Sequence, residues 1–249
     1  MKLAALYTVF DGLELLKDSI KQIEADVDVI IIGWQKLSNH FNESKEVEQF
    51  VKSLPSNYVL VEYKPQANMI PNDNEKLKHQ LLLNKAKELN CTHFLFLATD
   101  HFYKSKEFRF AKEISKDFDV TTTKMFTYYK NPTWQLTPIE DYQMPFICRL
   151  YDNTKIDSNK YPVHTDPCVR VNTFKKFYEF EDYEIMLHHY SIIRMDVVSK
   201  FNNSAAAIRW SKNDIETFIQ EYNEAKVGDS ITYFKGRKLI EVKDYFNIS

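Results

Sequence analysis

Glycine is scarce in this chain, with 4 in 249 residues, and that excludes several common ways of holding a ligand. There is no G-x-G-x-x-G, no G-x-x-x-x-G-K-[ST] and no G-x-S-x-G. Dinucleotide binding, P-loop hydrolysis and the α/β-hydrolase elbow are therefore disfavoured. Proline is also sparse, at 8, which with the low glycine argues against collagen-like, disordered or low-complexity sequence. The three cysteines, Cys91, Cys148 and Cys168, form no C-x-x-C pair, so a structural zinc site is not expected. Their odd number, with no cleavage pattern between Met1 and Asp11, points to a reducing cytoplasm. No apolar run approaches the roughly 18 residues that a membrane helix needs. Formal net charge is only −2, so an anionic partner would have to be met by a local patch.

What is abundant is apolar and aromatic sequence, at 44% and 14%, enough for a substantial core. Thr92–Tyr103 carries a buried-type strand, Thr92–Thr99, that stops at Asp100 and His101. Strands are also expected at Leu3–Phe10, Val27–Trp34 and Asn57–Tyr63. Helices are expected at Leu13–Glu24, Glu43–Leu54 and Asp73–Asn90, the last capped by Asn72 or Asp73 and lined by Leu77, Leu81, Leu82, Ala86 and Leu89. Gly33 is expected to turn the chain after the second strand. This βαβαβαβ pattern implies a parallel sheet with right-handed crossovers. Beyond a helix at Lys106–Phe118 the character changes. Strands at Val120–Tyr129, Met144–Tyr151 and Glu184–Ile193 are separated by longer, proline-bearing loops. Helices at Asp196–Asn202 and Asn213–Ala225 and an edge strand at Lys238–Val242 follow.

A buried strand ending in a carboxylate puts that carboxylate at the carboxyl edge of a sheet, where open α/β sheets bind ligands. Asp100 there suits hard Mg²⁺ or Mn²⁺, and imidazole from His101 suits Mn²⁺. His188-His189 is a second imidazole source; on a strand the two rings face opposite ways, so at most one shares an ion with Asp100. Glu140, Asp141 and Asp166 are acids in loops that could accept a proton from an attacking hydroxyl. Lys78, Arg194 and Lys200, among other basic residues, could neutralise a diphosphate or meet a nucleic-acid backbone, beside Trp134 and Tyr142.

Together these segments resemble a group of phage and bacterial glycosyltransferases of the family-2-like, GT-A type, in which one strand reads roughly T-H-F-L-x-x-D-x-D-E-F-Y. Thr92-His93-Phe94-Leu95, Asp100, Phe102 and Tyr103 match it. Tyr7-Thr8-Val9-Phe10-Asp11-Gly12, Ile30–Trp34 with Gln35, Lys78-His79-Gln80 and Thr137–Tyr142 are similar to further motifs. So is the C-terminal His188-His189-Tyr190-Ser191 through Arg194, Lys200, Asn203 and Ser204. The likeness covers most of residues 1–205. Two positions depart: Ala98 stands at the first DxD aspartate, and His101 at the following glutamate.

The resemblance implies an α/β, GT-A (Rossmann-like), mostly parallel sheet flanked by helices, with an irregular acceptor-side C-terminal half. One domain is expected, residues 1–118 binding a nucleotide-sugar and 119–249 completing the acceptor side. It implies a metal-dependent, inverting transferase using a UDP-sugar. Thr8, Phe10, Asp11 and Gln35 would surround the nucleotide. Asp100, His101 and one of His188 or His189 would hold Mn²⁺ or Mg²⁺. Lys78 and Arg194 would neutralise the leaving diphosphate, and Asp166, then Asp141 or Glu140, would take the proton. Asp100→Ala should cut turnover severely and leave folding nearly intact. The acceptor would be a hydroxymethylated DNA base or a glycan. Two other classes compete. A degenerate, non-catalytic binding module would hold the nucleotide-sugar or a polysaccharide without turnover. A nucleotidyltransferase usually has a basic Gly-rich loop, and Phe10–Leu16 lacks one.

Overall fold

The computed structural model describes residues 1–157, 160–204 and 207–248. Its first half is built on four parallel strands: β1 (Leu3–Val9), β2 (Val29–Trp34), β3 (Val59–Glu62) and β4 (His93–Ala98). They lie in the order β3-β2-β1-β4, with every neighbouring pair parallel. β1, β2 and β4 are buried almost throughout, as strands covered on both faces must be. Helices α1 (Leu13–Ile23), α2 (Val47–Lys52) and α4 (Ser105–Ser115) cover one face through residues such as Leu16, Ile20, Val51 and Phe108. The other face is covered by α3 (Pro71–Glu88) through Leu82, Leu83 and Ala86.

The second half contributes β5 (His101–Phe102), β6 (Val120–Tyr129), β7 (Asn131–Thr137), β8 (Gln143–Arg149), β9 (Phe177–Glu179), β10 (Leu187–Ile192), β11 (Ser230–Ile231) and β12 (Arg237–Glu241). The sheet continues from β4 as β8-β6-β7-β12-β11, now antiparallel at each step. Parallel pairing thus dominates the first four strands, and the full sheet is mixed. β10 lies parallel beside β6 and antiparallel beside β5. Helices α5 (Val197–Asn203) and α6 (Lys212–Glu224) close this end over Tyr129, Leu136, Phe201 and Phe218.

Several expectations need correction. α3 starts at Pro71 with Ile70 before it and no side-chain cap; proline's fixed φ starts the helix instead. Its buried face is Asn74, Lys78, His79, Leu82, Leu83 and Ala86, while Leu81 is exposed. The apolar stripe is rotated because the first two turns face a polar cavity. Gly33 does not turn the chain: it lies inside β2, where a side chain would meet Leu82 at 2.7 Å. β7 occupies a stretch expected to be loop. Its hairpin with β6 turns at Lys130, which takes φ +61°, and carries a register shift beside Pro132. Neither feature gives the usual Asn-Gly or Asp-Gly hairpin signal. All three cysteines are buried and free.

Candidate active site at the carboxyl edge of the sheet

Strand direction decides where the site lies. β1, β2 and β4 all run toward one edge, and a cavity of about 480 Å³ opens there. Thr8, Phe10 and Asp11 enter it from the end of β1, and Gln35 from the end of β2. His101, His189, Arg194 and Lys200 form a second wall. Lys78, with Glu75 and His79, comes from the first turns of α3, and Glu140, Tyr142 and Asp166 come from loops of the second half.

Asp100 follows β4 and is fully buried. Its Oδ2 accepts a hydrogen bond from the Arg194 guanidinium and one from Lys200 Nζ at 3.2 Å. Its Oδ1 has no hydrogen-bond partner. Burial pushes this carboxyl upward, but Lys200 and Arg194, with the nearby His189 and His101, outweigh it and hold it well below the usual carboxylate range. Asp100 is therefore an anion at neutral pH. Arg194 is almost completely enclosed. It also donates to Thr99 Oγ1 at 3.3 Å and lies 3.7 Å from Asp11 Oδ1. Gly12 makes this seat: it has φ +64°, and a Cβ there would lie 1.2 Å from Arg194 Nη1.

Two imidazoles reach Asp100 through strand pairing. β10 and β5 place His189 directly opposite His101, so the rings share a side and meet edge-on at 5.1 Å. Each Nε2 lies 3.8 Å from Asp100 Oδ1. Burial first, against the pull of Asp100, lowers His101 to about 4 and His189 to about 3. Both rings are neutral at pH 7, the form that ligates metal. The ligand atoms of Asp100, His101 and His189 lie within 4.8 Å of one another. This set fits a divalent cation: the unpartnered Oδ1 is a ready acceptor, and the cavity lining carries four carboxylates, Asp11, Glu75, Glu140 and Asp166, against three Lys and Arg side chains, Lys78, Arg194 and Lys200. Ligation by His101 would require a tautomer change, since its Nδ1 accepts the Ala98 N–H at 3.3 Å.

His188 turns to the other side of β10. Its Nδ1 pairs with the Tyr128 hydroxyl at 2.7 Å, and its ring packs against Phe126, Tyr245 and Phe246. It does not join the Asp100 cluster, because alternate residues of a strand face opposite sides. Asp141 is exposed and does not line the cavity. Glu140 does, but it is engaged by Thr127 at 3.3 Å and Arg237 at 3.5 Å. Asp166 lines the cavity with one oxygen held by the Cys168 N–H at 2.7 Å.

Sequence reasoning left Glu75 out of the site, and it counted Lys200 among basic residues for a diphosphate without linking it to Asp100. Glu75 accepts from Lys78 at 2.9 Å and from Asn39 at 2.8 Å, and lies 3.7 Å from His79. Burial raises its carboxyl, yet Lys78, His79 and Asn39 bring it down to about 2. The i, i+3, i+4 spacing of Glu75, Lys78 and His79 places them on one helix face and was the available signal. Lys200 lies a short way beyond Arg194 in sequence, and only the folded α5 brings it to Asp100.

No protein-family model matches the chain, and no curated protein does. Among solved structures it is similar to residues 1–349 of TarS from S. aureus, at 9% identity over 90% of this chain and 71% of that one, with TM-score 0.48. The same TarS fragment in complex with UDP-GlcNAc is similar at 9% identity over 90% and 72%, with TM-score 0.47. Mannose-1-phosphate geranyltransferase from Thermus thermophilus is similar at 12% identity over 59% and 50%, with TM-score 0.36. These likenesses are loose in superposition.

Proposed function

We propose that this protein is a glycosyltransferase that moves a sugar from a nucleoside-diphosphate donor, a UDP-sugar first among them, to an acceptor hydroxyl. The observation that carries the reading is the division of the cavity. Its β1–β2 wall offers Phe10, Thr8 and Gln35, suited to a base and ribose. Its β4–β10 wall offers two neutral imidazoles, Arg194 and Lys200, with the Asp100 carboxylate buried behind them, suited to a diphosphate. TarS, crystallised with UDP and with UDP-GlcNAc, is consistent with this reading without carrying it.

Asp100, His101 and His189 would hold Mn²⁺ or Mg²⁺, which when bound supplies positive charge to the leaving diphosphate. Arg194 keeps Asp100 ionised and turned so that Oδ1 faces the two rings. Asp166 takes the proton from the acceptor hydroxyl as it attacks the anomeric carbon from the face opposite the diphosphate, so the anomeric centre inverts. The acceptor enters past Tyr142 and Asp166. A hydroxymethylated DNA base would have to leave its stack to reach this depth, and a glycan would not. Mass spectrometry of reactions with a donor panel, and with hydroxymethylated DNA and glycans as acceptors, tests the proposal. It predicts a product heavier by one sugar. Release of sugar to water alone, or no donor consumption by folded protein, contradicts it. Among the described residues no helix is long and apolar enough to cross a membrane, and the protein is proposed to act in the cytoplasm.

A further inference from the structure

We infer that Phe246 is a positioning residue for the centre formed by Asp100, His101 and His189: it wedges behind β5 and β10 and holds the two imidazoles edge to edge. This rests on the reading of that centre as a metal site. The strand pair that aligns the rings is short. β5 has two residues, and its pairing with β10 consists of His188 opposite Phe102 and His189 opposite His101. So small a pairing is marginal unless one of its faces is packed. Backbone ties set the register, among them the Tyr190 N–H to the Asp100 carbonyl at 2.9 Å. Packing on the far face sets how far the two strands can splay.

That far face is where Phe246 sits. Phe102 and His188 alternate with His101 and His189 along their strands, so they point away from Asp100. Phe246 is buried against both, with ring centroids 5.2 Å from Phe102 and 5.0 Å from His188. It also meets Tyr190 at 6.0 Å. One ring thus bridges β5 and β10. His188 is fixed a second time by Tyr128 of β6, whose hydroxyl pairs with Nδ1 at 2.7 Å and whose ring stacks on Tyr190 at 4.3 Å. His188 therefore serves the centre from behind, without reaching it.

The segment that carries Phe246 is itself shaped and tied down. The Val242 N–H donates to the Thr133 carbonyl at 2.8 Å. Asp244 Oδ1 accepts the N–H groups of Phe246 at 3.0 Å and Asn247 at 2.9 Å, a side-chain-closed turn. Lys104, two residues past β5, lies over the Tyr245 ring at 4.0 Å. Coordination tolerates little play in ligand positions, so lost packing behind the strands reaches an ion as lost affinity.

Two measurements test this on wild type, Phe246→Ala, Phe246→Leu and Leu54→Ala. Leu54 is buried in the core just past α2, and its truncation is the control for a general loss of packing. The first measurement is Mn²⁺ affinity, from the paramagnetic resonance signal of free Mn²⁺. Phe246→Ala should weaken it about tenfold or more, Phe246→Leu should lose less, and Leu54→Ala should match wild type. The second is the nuclear Overhauser cross-peak between the His101 and His189 rings in metal-free protein. It should be present in wild type and Leu54→Ala, and weakened in both Phe246 variants. Should Phe246→Ala not fold, Phe246→Leu decides alone. Mn²⁺ affinity and cross-peak unchanged in the folded Phe246 variants overturn the proposal. So does an equal loss of affinity in Leu54→Ala. A wild-type protein that binds no Mn²⁺ overturns the metal reading instead, and the cross-peak then decides the positioning role by itself: retained in the Phe246 variants, it refutes that role.

Discussion

Replacing Asp100 by asparagine keeps the shape of the side chain and removes its charge. The sequence suggested that such a loss would spare the fold; the structure gives the opposite expectation. Asp100 is fully buried and Arg194 nearly so. Without the carboxylate, the guanidinium keeps Thr99 and the partly exposed Asp11 at 3.7 Å. A buried cation left without its close partner costs about 3–5 kcal/mol. Arg194→Met should cost less, about 3 kcal/mol, because Lys200 still lies 3.2 Å from Asp100. The double variant removes both charges together, so its loss should fall short of the sum by about 2 kcal/mol or more. Urea unfolding of all four proteins, in metal-free buffer, measures this directly. Additivity within about 0.5 kcal/mol, or a loss below about 1 kcal/mol for Asp100→Asn, would refute the buried-pair argument.

Three further outcomes are expected. Gly12→Ala should lower the melting temperature and weaken UDP binding, because its Cβ would occupy the Arg194 seat; an unchanged melting temperature would show that Arg194 has other room. Glu75 is lowered from 4.5 to about 2 in the folded protein, so its stabilisation is complete above pH 4.5 and is lost as pH falls toward 2. That is worth up to about 3 kcal/mol, and unfolding curves of Glu75→Gln should be flatter than wild type across this window. Asp166→Asn should slow transfer by about 10²–10⁴ with UDP affinity unchanged, while Asp141→Asn should leave transfer intact; the reverse pattern in a transfer assay would move the base to Asp141.

The parts legible in the sequence were those written in local pattern. Runs such as Val29–Ile32 and Phe94–Leu97 announce buried strands, and the strand that stops at Asp100 announces a ligand-binding edge. The two-residue period of a strand also separates His188 from His189. What was hidden depends on contacts distant in sequence. Lys200 meets Asp100 across 100 residues, and no spacing rule links them. β7 was hidden because Lys130 turns the hairpin with a residue that seldom takes positive φ. The buried face of α3 was misread because its helical stripe is polar where it borders the cavity. There Glu75 pairs with Lys78 and lies 3.7 Å from His79, and an apolar stripe is not needed.

Titration of the metal-loaded protein with UDP, read by calorimetry alongside Gln35→Leu and Lys200→Met, bears most directly on the claim that this cavity is a nucleotide-sugar site. The account predicts one saturable site per chain, weakened by Gln35→Leu through the base and by Lys200→Met through the diphosphate. Folded protein that shows no UDP binding, or binding that both variants leave untouched, would contradict it.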